Sequence, residues 1–191
     1  MPSTTIDVYA IDPVLSRFTV KAFATGLLSS FGHNPALAVR DFSGEANFSP
    51  DALDQASLVI KIKAASLAVT DKMSDKDRRE LERTMNQEVL ETDKYPEIVY
   101  KATNVAANKT GDGQFSVSLM GTLTLHGATN PQAVAAQIVL TGDMLRAFGE
   151  FSVSQSAYGI KPVSIAGGSL KLKDELKCSF DLVARKKAEN R

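Results

Sequence analysis

The chain has 191 residues, of which 43% are hydrophobic and 23% charged, and its 22 basic and 22 acidic residues give a formal net charge of zero. This length is enough for one domain with a sizeable core, and the composition excludes a largely disordered chain. A neutral chain also lacks the basic surface with which proteins bind nucleic acids or anionic membranes.

The single cysteine, Cys178, excludes an intramolecular disulfide and argues against a cysteine-based zinc site. We interpret it as a small hydrophobic residue buried in a strand. Residues 1–7 contain neither the basic nor the apolar segment of a signal peptide, and no apolar run is long enough to span a membrane. We therefore expect a cytoplasmic protein as the sequence stands, and a periplasmic one if a leader was removed.

Alternation of apolar and polar residues predicts strands along most of the chain. In chain order, the predicted strands are residues 9–12, 16–25, 36–40, 41–48, 57–64, 98–105, 114–125, 133–141, 145–154, 169–173 and 176–185. Turn-forming residues separate them, including clusters at 108–113 and 126–131.

The strand at residues 114–125 alternates most regularly. Its odd-numbered positions are apolar apart from Gly121, and its even-numbered positions are mostly polar. Because successive side chains of a strand point to opposite faces, this strand has one apolar face that other strands must cover.

One helix is predicted at about residues 75–90. Ser74 is a typical N-cap residue, and Asp75 and Asp77 suit the positive end of the helix dipole. Leu81, Met85 and Val89 form one apolar stripe, and the remaining charged face should contact water.

Many strands with a single inserted helix predict an all-β fold, an extended antiparallel barrel of about eight strands in one domain, residues 6–186. Its apolar positions fit either a core filled by side chains or an apolar cavity that holds a lipid. A filled barrel would act through its outer surface, by binding a protein or by forming a homodimer.

Enzyme chemistry has weak support in the sequence. The two histidines, His33 and His126, could form a metal site with a carboxylate if their loops met, but histidines in turns more often form hydrogen bonds. The sequence contains no recognisable nucleophile elbow, zinc-protease motif or phosphate-binding loop.

Five stretches resemble the YceI-like family, lipocalin-like proteins linked to polyisoprenoid binding in bacteria. In chain order they are Ile11-Asp12 with Ser16-Arg17-Phe18-Thr19-Val20, Phe42-Ser43-Gly44, Tyr95-Pro96-Glu97-Ile98, Gly121-Thr122-Leu123-Thr124-Leu125-His126-Gly127-Ala128-Thr129, and Tyr158-Gly159-Ile160. The region before Tyr95 departs from the family, since an Arg-Asp pair and a pair of phenylalanines that members often carry there are missing.

The resemblance implies a lipocalin-like barrel around a long apolar tunnel, which sequesters or transports a polyisoprenoid, an isoprenoid quinone or a fatty acyl derivative, in a stress-related role. It implies no catalytic residue, no metal and no cofactor other than such a lipid. The predicted tunnel residues are Phe18, Val20, Phe42, Leu58, Ile60, Ile62, Ile98, Tyr100, Phe115, Val117, Leu119, Leu123, Phe151, Tyr158 and Ile160. From their places in loops or at strand ends, His33, Arg40 and His126 are candidates for contact with the lipid head group.

Overall fold

The computed structural model describes residues 6–25, 34–162, 164–165 and 170–188. The strands are β1 Val8–Ile11, β2 Arg17–Lys21, β3 Ala24–Thr25, β4 Ala36–Val39, β5 Phe42–Asn47, β6 Ser57–Lys63, β7 Leu67–Val69, β8 Glu97–Gly111, β9 Gln114–Leu125, β10 Ala128–Thr141, β11 Met144–Ser154, β12 Ser164–Ile165, β13 Leu170–Leu172 and β14 Glu175–Lys186. The helix α1, Asp75–Thr84, continues into a π-helical turn, Met85–Val89.

Eight strands form a closed antiparallel barrel in the order β1, β5, β6, β8, β9, β10, β11 and β14, and pairing of β14 with β1 closes the ring. This confirms the predicted barrel. Closure pairs every strand of the ring with two neighbours over part of its length, and strands of this number enclose an interior wide enough for side chains or one small ligand.

Towards one end of the barrel, the helix end, the pairing changes. There β14 pairs with β2 instead of β1, and β2, β4 and β7 continue the sheet. The outer edge of β7 is covered by α1, whose Glu82 carboxylate accepts a hydrogen bond of 3.0 Å from the Val69 backbone N–H. The opposite end, where the turns at Asp112-Gly113 and Gly142-Asp143 lie, is the hairpin end.

The structure confirms the helix predicted at about residues 75–90. Ser74 is the N-cap, and its hydroxyl oxygen accepts a hydrogen bond of 3.1 Å from the Asp77 backbone N–H. Met85 is buried, whereas Leu81 and Val89 are half-buried. The π-helical turn that begins at Met85 then brings Leu90 into the barrel interior. Among the described residues, no helix is both long enough and apolar enough to cross a membrane.

Replacing Ser74 with alanine should lower the stability of α1 by about 1 kcal/mol, because the alanine cannot accept the Asp77 N–H. Hydrogen exchange of the α1 amides, compared with exchange in the barrel strands, measures this loss. Ser74→Asn keeps a side-chain acceptor and should retain most of the protection. Equal losses in both variants would contradict the role of the cap.

The predicted strand 16–25 is broken after Lys21 into β2 and β3, the short strands β7 and β12 were not predicted, and two strand ends shift by several residues. β8 extends to Gly111, so the predicted turn at 108–113 shrinks to Asp112-Gly113. β10 begins at Ala128 and contains Pro131, so the cluster at 126–131 turns only at His126-Gly127. Pro131 fits because β11 pairs with β10 only from Ala135 onward, which leaves β10 without a partner on that side at the proline.

The interior face of β9 is apolar as predicted, with Phe115, Val117, Leu119, Leu123 and Leu125 buried. Gly121 interrupts this series because a methyl group there would lie 2.8 Å from the hydroxyl oxygen of Tyr100. The missing side chain lets Tyr100 cross β9 and donate a hydrogen bond of 3.2 Å to the Gln132 carbonyl oxygen on β10.

Candidate functional site

The barrel encloses an apolar cavity, to which every strand of the closed ring contributes side chains. Its volume is about 180 Å³, counted as the space that the centre of a water molecule can visit. A water needs roughly 10–15 Å³ on that scale, so the cavity has room for on the order of a dozen ligand atoms. The interior is therefore hollow in part, and it is not filled by side chains.

Most of the predicted tunnel residues line this cavity. They are Phe18, Val20, Leu58, Ile60, Ile62, Ile98, Tyr100, Val117, Leu119, Leu123, Phe151 and Ile160. The other three, Phe42, Phe115 and Tyr158, are buried but do not line it. Phe115 instead packs edge-to-face on Phe48 with ring centroids 5.2 Å apart. That these residues contact a ligand stays a prediction.

The prediction omitted 22 of the 34 described residues that line the cavity, including all those on β10 and β14. The omitted residues include Leu90, Leu125, Val134, Ala136, Ile138, Leu145, Val153, Gln155, Leu176, Cys178 and Leu182. Most of them occupy every second position of a strand, for example residues 134, 136 and 138. Assigning alternate residues of β10, β11 and β14 to the interior, as was done for β9, would have found them.

The polar groups on the cavity wall are few. Tyr100 donates its hydroxyl hydrogen to Gln132, and burial raises the pKa of its phenol to about 12. Burial also raises the pKa of the Cys178 thiol to about 12, so Cys178 is a neutral thiol at physiological pH, not a reactive thiolate. Gln155 is a buried amide at the helix end, and Asn47 and Ser57, whose side chains share a hydrogen bond of 2.9 Å, line the cavity at the hairpin end. The cavity therefore suits an uncharged, mainly hydrocarbon ligand.

The three head-group candidates are not brought together at the cavity. His33 lies outside the described residues. Arg40 is exposed at the bend between β4 and β5, and neither Arg40 nor His126 is among the residues that line the cavity.

His126 instead links three segments at the helix end. It forms a tight turn with Gly127, both with positive φ, which suits a two-residue hairpin. Its Nδ1–H donates to the Tyr158 carbonyl oxygen at 3.1 Å, and its Nε2 lies 2.8 Å from the carboxylate of Glu91. The ring packs on Tyr95 with centroids 4.5 Å apart. These contacts join the β9–β10 turn to the segment after α1 and to the turn after β11.

Metal binding has no support in the part of the chain that the structure describes, since no three of its histidine, cysteine, aspartate and glutamate side chains are grouped to hold an ion.

The family model described as "YceI-like domain" matches residues 9–184. A UPF0312 protein of Shewanella baltica is 28% identical over 134 residues, which are 70% of this chain and 65% of that protein. The chain thus spans just under two thirds of the length of this curated relative.

Two solved structures have a similar fold. BcnA of Burkholderia cenocepacia superposes with a TM-score of 0.71 at 19% identity, covering 91% of this chain and 98% of BcnA. A polyisoprenoid binding domain from Saccharophagus degradans, implicated in plant cell wall breakdown, gives a TM-score of 0.69 at 13% identity, covering 94% of this chain and 98% of that domain. At these identities the likeness is one of fold.

Proposed function

Because this chain belongs to the YceI-like family, we propose that it binds the tail of one apolar lipid inside its barrel. The ligand classes are a polyisoprenoid, an isoprenoid quinone and a fatty acyl derivative. The observation that carries the proposal is the cavity, whose wall is almost entirely aliphatic and aromatic. The Saccharophagus degradans neighbour, a polyisoprenoid binding domain, supports it at the level of the fold.

Burial of hydrocarbon would supply the affinity. Each CH₂ group moved from water into the cavity contributes roughly 0.8 kcal/mol. A dozen such groups contribute roughly 10 kcal/mol before the costs of association, which are of similar size. Binding should therefore strengthen with tail length until the cavity is full, and it needs few specific polar contacts.

The size of the cavity sets an expected length. A tail of about a dozen to fifteen carbons fits the space present. A longer polyisoprenoid would have to extend past the described residues or widen the barrel. The mechanism we propose is sequestration, in which the lipid leaves with its chemical structure unchanged.

Native mass spectrometry after gentle purification tests this function. We expect the protein mass plus one lipid, and the lipid extracted afterwards should match the cellular compound in mass. Saturable one-to-one binding of a dansylated fatty acid should follow once the lipid is removed. Absence of both a co-purified lipid and saturable probe binding would contradict the proposal, and a chemically altered lipid would point to an enzyme.

A further inference from the structure

The wall of the barrel is split at the helix end, between β10 and β11. Among the described residues, the pairing of these two strands ends at Ala135 and Glu150. Residues 128–134 of β10 therefore pair only with β9, and residues 151–154 of β11 pair only with β14. Val134, Phe151 and Val153, which lie beside the split, line the cavity. A passage here would open without breaking any hydrogen bond between strands.

A short turn covers the split. This cover turn, residues 156–160, follows β11 and begins with the 3-10 turn Ser156–Tyr158. The Tyr158 and Ile160 N–H groups donate to the Gln155 carbonyl oxygen at 3.0 and 3.1 Å, which keeps the turn compact. Ile160 is buried and lines the cavity. Moving the cover turn outward would therefore open the cavity beside Ile160.

The cover turn is attached firmly on the side of β14. The Gln155 N–H donates to the Asp174 carbonyl oxygen at 3.0 Å, and the Gln155 amide donates to the Lys173 carbonyl oxygen at 3.0 Å. The Asp174 carboxylate accepts the Ser156 N–H at 2.7 Å and the Ser156 hydroxyl at 2.9 Å. Backbone and side-chain bonds together fix this side of the turn to the segment before β14.

On the other side, two side chains supply the hydrogen bonds. Asn130 Nδ2 donates to the Ala157 carbonyl oxygen at 2.8 Å, and His126 Nδ1–H donates to the Tyr158 carbonyl oxygen at 3.1 Å. Within the described residues, no backbone hydrogen bond joins the cover turn to β9 or β10. Segments held by few hydrogen bonds open at the lowest free energy, so this side of the turn should detach first.

The hairpin end of the cavity is closed in another way. The Phe48 N–H donates to the Asp7 carbonyl oxygen at 3.0 Å, and the Lys186 N–H donates to the Asp143 carbonyl oxygen at 2.8 Å. The Phe48 ring packs on Phe115. Opening this end would break backbone hydrogen bonds and separate packed aromatic rings, so the split is the easier route.

We propose that the lipid enters and leaves the cavity through the split between β10 and β11, with the cover turn as a lid that Asn130 and His126 hold closed. The inference rests on the proposed function. Burial of Tyr158 and Ile160 keeps the lid closed most of the time. The two hydrogen bonds stabilise the closed lid with or without lipid, so weakening them should speed entry and exit together and change affinity little.

Asn130→Ala removes one of the two hydrogen bonds from an exposed position. We expect a dansylated fatty acid to dissociate roughly fivefold faster, the effect of losing one hydrogen bond, with affinity within about twofold of the wild type. Stopped-flow mixing of the loaded protein with excess unlabelled fatty acid measures the rate. Combining Asn130→Ala with His126→Asn should speed dissociation further.

Gln137→Ala is the matched control. Gln137 is also an exposed amide on β10, and it donates to the Ser116 hydroxyl oxygen at 3.5 Å, but it lies where β10 pairs with β11. Its loss should leave the dissociation rate unchanged.

An unchanged rate in Asn130→Ala, or an equal increase in Gln137→Ala, would overturn the inference. Weaker binding by Asn130→Ala without faster dissociation would also overturn it, because a lid acts on both rates. Failure of the wild-type protein to bind the probe would instead count against the proposed function. If the double variant does not fold, the comparison of Asn130→Ala with Gln137→Ala still decides.

Discussion

Tryptophan in place of Leu119 or Leu123 is expected to weaken binding of a lipid probe at least tenfold while the barrel stays folded. Both leucines are buried and line the cavity from the inward face of β9, on either side of Gly121. An indole ring would occupy about half of a space that holds on the order of a dozen atoms. A lipid tail could then bury only part of its hydrocarbon, and it would lose a contribution of roughly 0.8 kcal/mol for each CH₂ left outside.

Met120→Trp is the matched control for this experiment. Met120 lies on β9 between the two leucines, but it faces outward with 54% of its surface exposed. A tryptophan there should leave probe affinity unchanged. Titration with a dansylated fatty acid measures the affinity, and thermal unfolding shows that each variant is folded. Unchanged affinity in both leucine variants would mean that the ligand does not bind in the cavity.

The sequence predicted the fold well where a local pattern carried the information. The alternation in residues 114–125 predicted β9, and Ser74 with its acidic neighbours predicted the start of α1. The prediction from sequence failed where a strand continues through polar residues. The end of β8 is mostly exposed around Asn108 and Lys109, so both faces are polar and the alternation disappears.

The site was only partly predictable for a different reason. Inward-facing residues follow a period of two along any strand, so the wall of the cavity can be inferred from local sequence. The hydrogen bonds of Gln155 cannot be inferred in this way, because its partners Lys173 and Asp174 are brought near by the pairing of β11 with β14. The volume left between the side chains likewise depends on how all strands pack together.

Replacing His126 with asparagine is expected to destabilise the protein by about 2–3 kcal/mol and to leave lipid affinity within about twofold of the wild type. Asparagine tolerates the left-handed backbone conformation at this position, so the turn with Gly127 should survive. The shorter side chain loses the hydrogen bond to the Tyr158 carbonyl, the contact with the Glu91 carboxylate and the packing on Tyr95. Denaturant unfolding measures the loss.

Glu91→Gln measures how much the negative charge of Glu91 contributes to its contact with His126. Glutamine keeps an oxygen near Nε2 but removes the negative charge, so a loss of about 1 kcal/mol is expected. These results would assign His126 to holding the helix end together, consistent with its position away from the cavity wall. The opposite pattern, in which His126→Asn keeps its stability but loses probe affinity tenfold, would instead make His126 a contact of the lipid head group. The two variants thus decide which role His126 of the Gly121–Thr129 stretch has in this chain.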